Sequence, residues 1–175
     1  MELKKEDKQY LTKLSIRIAI AIIIALNLGI IYTIFSPITL SVVKLTLFPF
    51  KPIFMDNLII IKEQMLEFIP ACTAASAYSL LAVLTLLTNI SFKKMIKVFI
   101  TGALIILAFN ILRIFILILI LIYSGNHLFE TLHMFFWQVV STLVVVLTWI
   151  LLTKIYKIKE IPVYSDFKRI RFIIK

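Results

Sequence analysis

Residues 96–123, IKVFITGALIILAFNILRIFILILILIY, decide the fold of this 175-residue chain. A helix crosses the apolar core of a bilayer in about 20 mostly apolar residues. This stretch exceeds that length and carries only two charged residues, Lys97 near its start and Arg113 within it. It therefore predicts a membrane-spanning helix with a polar interruption.

Three further stretches share this length and apolar character. They are Leu14–Phe35, Pro70–Thr88 and Leu132–Thr153. The chain is 62% hydrophobic and 16% charged, whereas soluble domains are about 25% charged. We therefore predict a single all-α integral membrane domain with about four transmembrane helices. The first run is long for the core of a signal peptide, so we expect it to be retained as an anchor.

The segment between the first two predicted spans, residues 36–69, has no single obvious assignment. Pro37–Phe50 is apolar but short for an easy crossing, which favours a re-entrant or interfacial piece. Asp56–Glu67 combines the apolar run Leu58–Ile61 with charged residues. It fits either a short strand or an amphipathic surface helix, because so short a run has no decisive period.

The basic residues cluster at the flanks of the apolar runs. Fifteen of the 19 Lys and Arg residues lie in the N-terminal flank up to Arg17, at residues 92–97 or in the tail at residues 154–175. Because cytoplasmic flanks of spanning helices are rich in Lys and Arg, we expect both termini in the cytoplasm and an even number of crossings. The same pattern accounts for the net charge of +10 without a nucleic-acid partner.

This topology brings four reactive side chains to the extracytoplasmic face. Cys72 begins the second span, Arg113 lies in the outward half of the third, and His127 and His133 lie in or beside the last outer loop. Cys72 is the only cysteine, which excludes an intramolecular disulfide and a multi-cysteine metal site. Two histidines without a short ligand motif are a poor zinc set, so we expect no metal.

Arg113 is the side chain least explained by an apolar bundle. A guanidinium within a span costs several kcal/mol, and such residues usually mark function. Asn110 precedes it by one helical turn on the same face, so the pair forms a polar stripe. For Asn110, a catalytic role and an interhelical hydrogen bond fit equally well.

Cys72 fits either a nucleophile or a small buried apolar residue. Its place at a helix start favours the thiolate, and a nearby guanidinium would lower the thiol pKa further. A thiol nucleophile also needs a proton partner. His133 is the stronger candidate because it opens the fourth span with Glu130 spaced to orient its ring, while His127 is the alternative.

Three motifs together resemble the exosortase and archaeosortase family of membrane transpeptidases. They are Ala71-Cys72-Thr73-Ala74, Asn110-Ile111-Leu112-Arg113-Ile114 and Phe129-Glu130-Thr131-Leu132-His133. The resemblance covers roughly Phe68–Trp149. It departs from the family pattern at Ala74, where the family often has glycine, and in lacking a glycine between Met134 and Ser141. The chain also has fewer predicted spans than many members.

The resemblance implies a cysteine protease and transpeptidase in the cell membrane. Cys72 would attack a carbonyl in the C-terminal sorting signal of an exported protein, a tail made of a short motif, a spanning helix and a basic cluster. Arg113 would stabilise the thiolate or the oxyanion, and His133 would transfer the proton. The cleaved protein would pass to a membrane lipid acceptor, with no cofactor.

Two other functions are compatible with the residues alone. A non-enzymatic membrane protein, such as a transporter's substrate-binding subunit or an assembly factor, would use Asn110 and Arg113 to bind a ligand or partner helix. Cys72 would then only fill space. A membrane thiol redox protein is disfavoured, because a lone cysteine has no partner.

Overall fold

The structure is a computed structural model that describes residues 4–55, 58–62 and 64–174. Seven α-helices are found in this part of the chain. They are α1 (Lys5–Leu26), α2 (Leu28–Leu47), α3 (Ala75–Leu86), α4 (Phe92–Ser124), α5 (Asn126–Phe135), α6 (Ser141–Ile155) and α7 (Tyr164–Ile174). A π-helical segment, Phe136–Val140, joins α5 to α6 without a break.

A small antiparallel sheet separates α2 from α3. Its strands are β1 (Ile53–Met55), β2 (Leu58–Ile61) and β3 (Gln64–Glu67), and β2 is central. Single turns of 3-10 helix, Phe48–Phe50 and Pro70–Thr73, lie before and after it. The sequence left strand and surface helix open for Asp56–Glu67, and the described residues of that segment form strands.

Four helices of the described chain are long and apolar enough to cross a membrane. They are Lys5–Leu26, Leu28–Phe50, Phe92–Ser124 and Asn126–Ile155. The predicted helical class is confirmed, and the length and composition of these four helices suggest a multi-pass membrane protein. The helix of the predicted span Pro70–Thr88 is shorter, since α3 has only 12 residues.

The predicted first span, Leu14–Phe35, is interrupted at Asn27. This residue has φ −122° and ψ 73° and separates α1 from α2. The two helices follow each other along α3: Arg17 Nε donates to the Leu86 carbonyl, and further along the Phe35 ring stacks on Tyr78. α2 then continues to Leu47, where the sequence favoured a re-entrant or interfacial piece.

α3 is the central helix of the bundle and packs against α1, α2, α4 and α6. Its contact with α4 and α6 is close because Gly102 lacks a side chain. A Cβ built at Gly102 would lie 2.8 Å from side-chain carbons of both Leu81 and Leu152. Leu81 and Leu152 are fully buried there.

The two ends of the chain meet at one end of the bundle. Asp166 of α7 accepts a hydrogen bond from the Tyr10 hydroxyl and forms an ion pair with Arg17, both in α1. At the other end, the sheet packs on α2 and α4 through a buried cluster. Its members include Val43, Leu47, Ile59, Ile61, Phe68, Cys72, Ile114 and Ile118. Cys72 therefore lies at the end of the bundle away from the termini.

Candidate active site

Cys72 lies in the 3-10 turn Pro70–Thr73, between the sheet and the first residue of α3. Its side chain is buried with 8% exposed. Its backbone N–H donates to the Ile69 carbonyl at 2.8 Å, which closes the turn. The turn leads into Ala74, which has φ 55° and ψ 36° in the left-handed region. Cys72 is thus presented on a short turn and is not part of the α3 helix.

Asn110 of α4 holds this turn in place. Its side-chain Nδ2 donates to the backbone carbonyl of Cys72 at 2.7 Å, and its side chain is 96% buried, with 4% exposed. Asn110 Oδ1 accepts no hydrogen bond from the described residues. Asn110 therefore links α4 to the backbone of the predicted nucleophile, in the turn that precedes α3.

Arg113 lies one turn further along α4 and is also buried. Its Nη1 donates to the hydroxyl of Ser141 at 3.2 Å, and that hydroxyl donates to the carbonyl of Phe136 at 3.0 Å. Phe136 is the first residue of the π-helical segment and Ser141 directly follows it, and such segments are frequent at functional sites. The π-helical segment thus supplies a polar support for the guanidinium on a neighbouring helix.

A cavity of about 330 Å³ joins the three predicted catalytic residues. Cys72, Arg113 and His133 come from the turn, α4 and α5, and all three line it. Its lining combines apolar side chains, such as Ile114, Leu117 and Ile118, with the carboxylates of Glu67 and Glu130. Pockets that hold small ligands start at about this size and have this mixed character.

The two histidines have different positions. The His133 ring is half-buried and packs against Phe129, with ring centroids 5.5 Å apart. Glu130 lines the same cavity, but the described residues show no hydrogen bond between Glu130 and His133. His127 is exposed in the first turn of α5 and is not among the residues that line the cavity.

The positive charge of Arg113 interacts electrostatically with both Cys72 and His133. Cys72 lies outside the four candidate spans. Burial raises the pKa of the Cys72 thiol, and a backbone hydrogen bond from Ile69 and the charge of Arg113 act against this rise. The guanidinium has the expected direction of effect, but burial dominates. The sequence position of Cys72 at a helix start favoured the thiolate. Because burial opposes ionisation, the thiol needs a base to remove its proton.

Ala74 is the position at which the resemblance leads one to expect glycine. The left-handed conformation that it adopts costs about 1–2 kcal/mol for a residue with a Cβ, whereas glycine adopts it freely. The backbone here has the shape that a glycine would favour, even though the sequence has alanine.

Two polar residues of the site carried no recognisable signal in the sequence. Glu67 interacts electrostatically with Cys72 from the end of β3, and Ser141 bonds to Arg113. Glu67 belongs to a segment whose fold was open, and a serine in an apolar run is commonplace. Glu67 and Ser141 can be recognised as part of the site only from the tertiary structure.

Comparison of the chain with protein-family models, with curated protein sequences and with solved structures gave no match.

Proposed function

We propose that this protein is a membrane cysteine transpeptidase of the exosortase and archaeosortase kind. It cleaves C-terminal sorting signals of exported proteins and transfers the cleaved protein to a membrane lipid. One observation carries the proposal: Cys72, Arg113 and His133, far apart in the sequence, line one cavity. A lone buried cysteine with a packing role needs neither a guanidinium nor an imidazole beside it.

In the first step, the Cys72 sulfur attacks the scissile carbonyl carbon, and His133 accepts the thiol proton. The carbonyl oxygen becomes an oxyanion, which the Arg113 guanidinium stabilises. When the C–N bond breaks, His133 returns the proton to the leaving amine. The products are a thioester on Cys72 and a released tail containing the spanning helix and the basic cluster.

In the second step, a hydroxyl or amine of the lipid acceptor enters the cavity. His133 takes its proton as it attacks the thioester carbon, and a second oxyanion forms beside Arg113. The C–S bond then breaks, and the proton passes to the Cys72 thiolate. The exported protein leaves attached to the lipid, and the enzyme returns to its starting state.

The contacts around the group support positioning of this kind. Asn110 fixes the backbone carbonyl of Cys72, and Ser141 holds the guanidinium of Arg113. Groups that act in catalysis need to be held close to their productive geometry, because an error of about 1 Å can cost about a hundredfold in rate. Asn110 is therefore a positioning residue in this proposal.

The proposed location follows from charge and fold together. The first part of α1 and the last helix, α7, lie together at one end of the bundle, and most basic residues of the sequence flank the helices at that end. By the excess of Lys and Arg we assign that end to the cytoplasm. The cavity then opens toward the extracytoplasmic face of the cell membrane, where an exported substrate arrives.

The test is co-expression with a secreted protein that has a short motif, a spanning helix and a basic C-terminus and is encoded beside this chain. Its size on a gel reports cleavage. We expect Cys72→Ala, Arg113→Gln and His133→Ala to stop processing while the variant proteins still accumulate in the membrane. His127→Ala is the matched control, since His127 is exposed away from the cavity, and it keeps full processing.

The same experiment discriminates the non-enzymatic function. A ligand-binding or assembly protein loses its function with Arg113→Gln but keeps it with Cys72→Ser. Undiminished cleavage by Cys72→Ala contradicts the thiol mechanism. Loss of processing with His127→Ala, but not with His133→Ala, contradicts the assignment of the proton carrier.

A further inference from the structure

The last helix, α7, is fixed to the first helix through one face. Asp166 is buried with 4% exposed, and it pairs with Arg17 at 3.3 Å and accepts the Tyr10 hydroxyl. The guanidinium of Arg169 lies over the Tyr10 ring, 3.9 Å from its centroid. Just ahead of the helix, the backbone N–H of Val163 donates to the Leu87 carbonyl. α7 is thereby held in one orientation at the end of the bundle.

The opposite face of α7 is exposed and combines aromatic rings with cations. At about 100° per residue, the residues far from Asp166 are Tyr164, Phe167, Lys168, Arg171 and Phe172, and all five are exposed. Phe167 is 63% and Phe172 is 84% exposed. We call these five residues the basic–aromatic face. Exposed rings that cluster on one face with cations mark an interaction surface.

The position of α7 indicates what the partner is. The helix is tied to α1 beside the end of α3, and at this end of the bundle α4 begins and α6 ends. Where these helices cross the membrane, the surface of the bilayer therefore lies beside α7. Aromatic rings favour the headgroup level of a bilayer, and each Lys or Arg near an anionic surface contributes about 1 kcal/mol of attraction.

We propose that α7 is an interfacial helix whose basic–aromatic face binds the anionic headgroups of the surrounding membrane. The rings of Phe167 and Phe172 enter the headgroup region while Lys168 and Arg171 pair with lipid phosphates. The Tyr10–Asp166–Arg17 contacts set the orientation that makes this possible. The partner is the lipid surface itself, because cations and rings on one face match a bilayer interface. This inference does not depend on the proposed enzymatic function.

The test uses the full chain with a spin label on α7. In a Cys72→Ser background, Phe172→Cys carries a nitroxide, which is apolar and takes the place of the most exposed ring. The protein is placed in nanodiscs of phosphatidylcholine alone or of phosphatidylcholine with phosphatidylglycerol. We expect the anionic bilayer to reduce collisions of the nitroxide with an aqueous nickel chelate and to increase collisions with oxygen.

Two pairs of substitutions distinguish an effect of the basic–aromatic face from an effect of positive charge elsewhere in the chain. Lys168→Gln with Arg171→Gln removes two cations from the basic–aromatic face and is expected to abolish the difference between the bilayers. Lys157→Gln with Lys159→Gln removes two exposed cations outside α7 and preserves the difference. Equal nickel accessibility in both bilayers overturns the proposal. Equal effects of the two pairs also overturn it, because the face then has no special role.

Discussion

At Cys72, burial and charge act on the thiol in opposite directions. Burial raises its pKa, the Arg113 charge lowers it, and the Glu67 charge raises it. Because burial dominates, the thiolate forms at higher pH than in a free cysteine, whose pKa is about 8.5. We therefore expect the rate of alkylation of Cys72 by a small thiol reagent to reach half its maximum above that pH.

Two substitutions at Arg113 and Glu67 test this explanation of the thiol pKa. Arg113→Gln removes a favourable charge and shifts the pH profile of alkylation upward, whereas Glu67→Gln removes an unfavourable one and shifts it downward. The shift for Glu67 is the smaller, since Glu67 is exposed and solvent screens its charge. Shifts in the same direction for both variants contradict the assignment of these charges.

The backbone of Ala74 gives a stability prediction. Ala74→Gly removes the cost of the left-handed conformation and is expected to stabilise the protein by about 1 kcal/mol, net of the extra freedom of glycine in the unfolded chain. Thermal unfolding in detergent measures the change. Ala75→Gly serves as the control and lowers stability, because Ala75 lies in the first turn of α3. Destabilisation by Ala74→Gly contradicts the strained turn.

From the sequence, charge counting and helix length predicted that Cys72, Arg113 and the two histidines share one face of the membrane. In the structure, Cys72, Arg113 and His133 line one cavity. The contacts between these residues and their supports could not be predicted. The bond from Asn110 to Cys72 joins residues 38 positions apart. It depends on the turn before α3, which no local pattern in the sequence defines.

At the scale of elements, the crossing of α3, α4 and α6 depends on Gly102. A methyl group at this position would lie 2.8 Å from carbons of Leu81 and Leu152, so both side chains would have to move. We expect Gly102→Ala to destabilise the protein by about 1–3 kcal/mol, the usual cost of overpacking a core. Thermal unfolding in detergent reports the loss.

Gly29 provides the matched control for Gly102. It also lies in an apolar helix, but a Cβ there meets only the Asn27 side chain, at 3.3 Å. Gly29→Ala is expected to be neutral or to stabilise α2 by up to about 1 kcal/mol, since alanine is the better helix former. Equal losses at both glycines would show that the α3–α4–α6 crossing is not closely packed.

Long apolar runs made the helices predictable, but the breaks between elements were not. Asn27 interrupts an apolar run in which both adjacent residues, Leu26 and Leu28, favour helix, so the sequence predicted one span where there are two helices. In Leu58–Ile61 every residue is apolar, and a run without alternation does not distinguish strand from helix. The π-helical segment at Phe136–Val140 likewise has no signature in the sequence.

For the whole molecule, the contact between α1 and α7 and the excess of Lys and Arg in the flanks of the helices lead us to predict that both ends of the chain lie in the cytoplasm. We expect green fluorescent protein fused to either terminus to fluoresce, since it folds in the cytoplasm. Alkaline phosphatase fused after Gly125, between α4 and α5, is expected to be active, since it needs export. If green fluorescent protein fluoresces at one terminus but not at the other, the termini lie on opposite sides of the membrane, which contradicts this topology.

The central claim is that Cys72 forms a thioester with the substrate, and the thioester itself can be measured. The wild-type protein is co-expressed with the tailed substrate, and the membranes are treated with hydroxylamine, which cleaves thioesters. We expect mass spectrometry to find the N-terminal part of the substrate released as a hydroxamate, and we expect Cys72→Ala to release none. Cleavage of the substrate by Cys72→Ala at the wild-type rate would contradict the central claim.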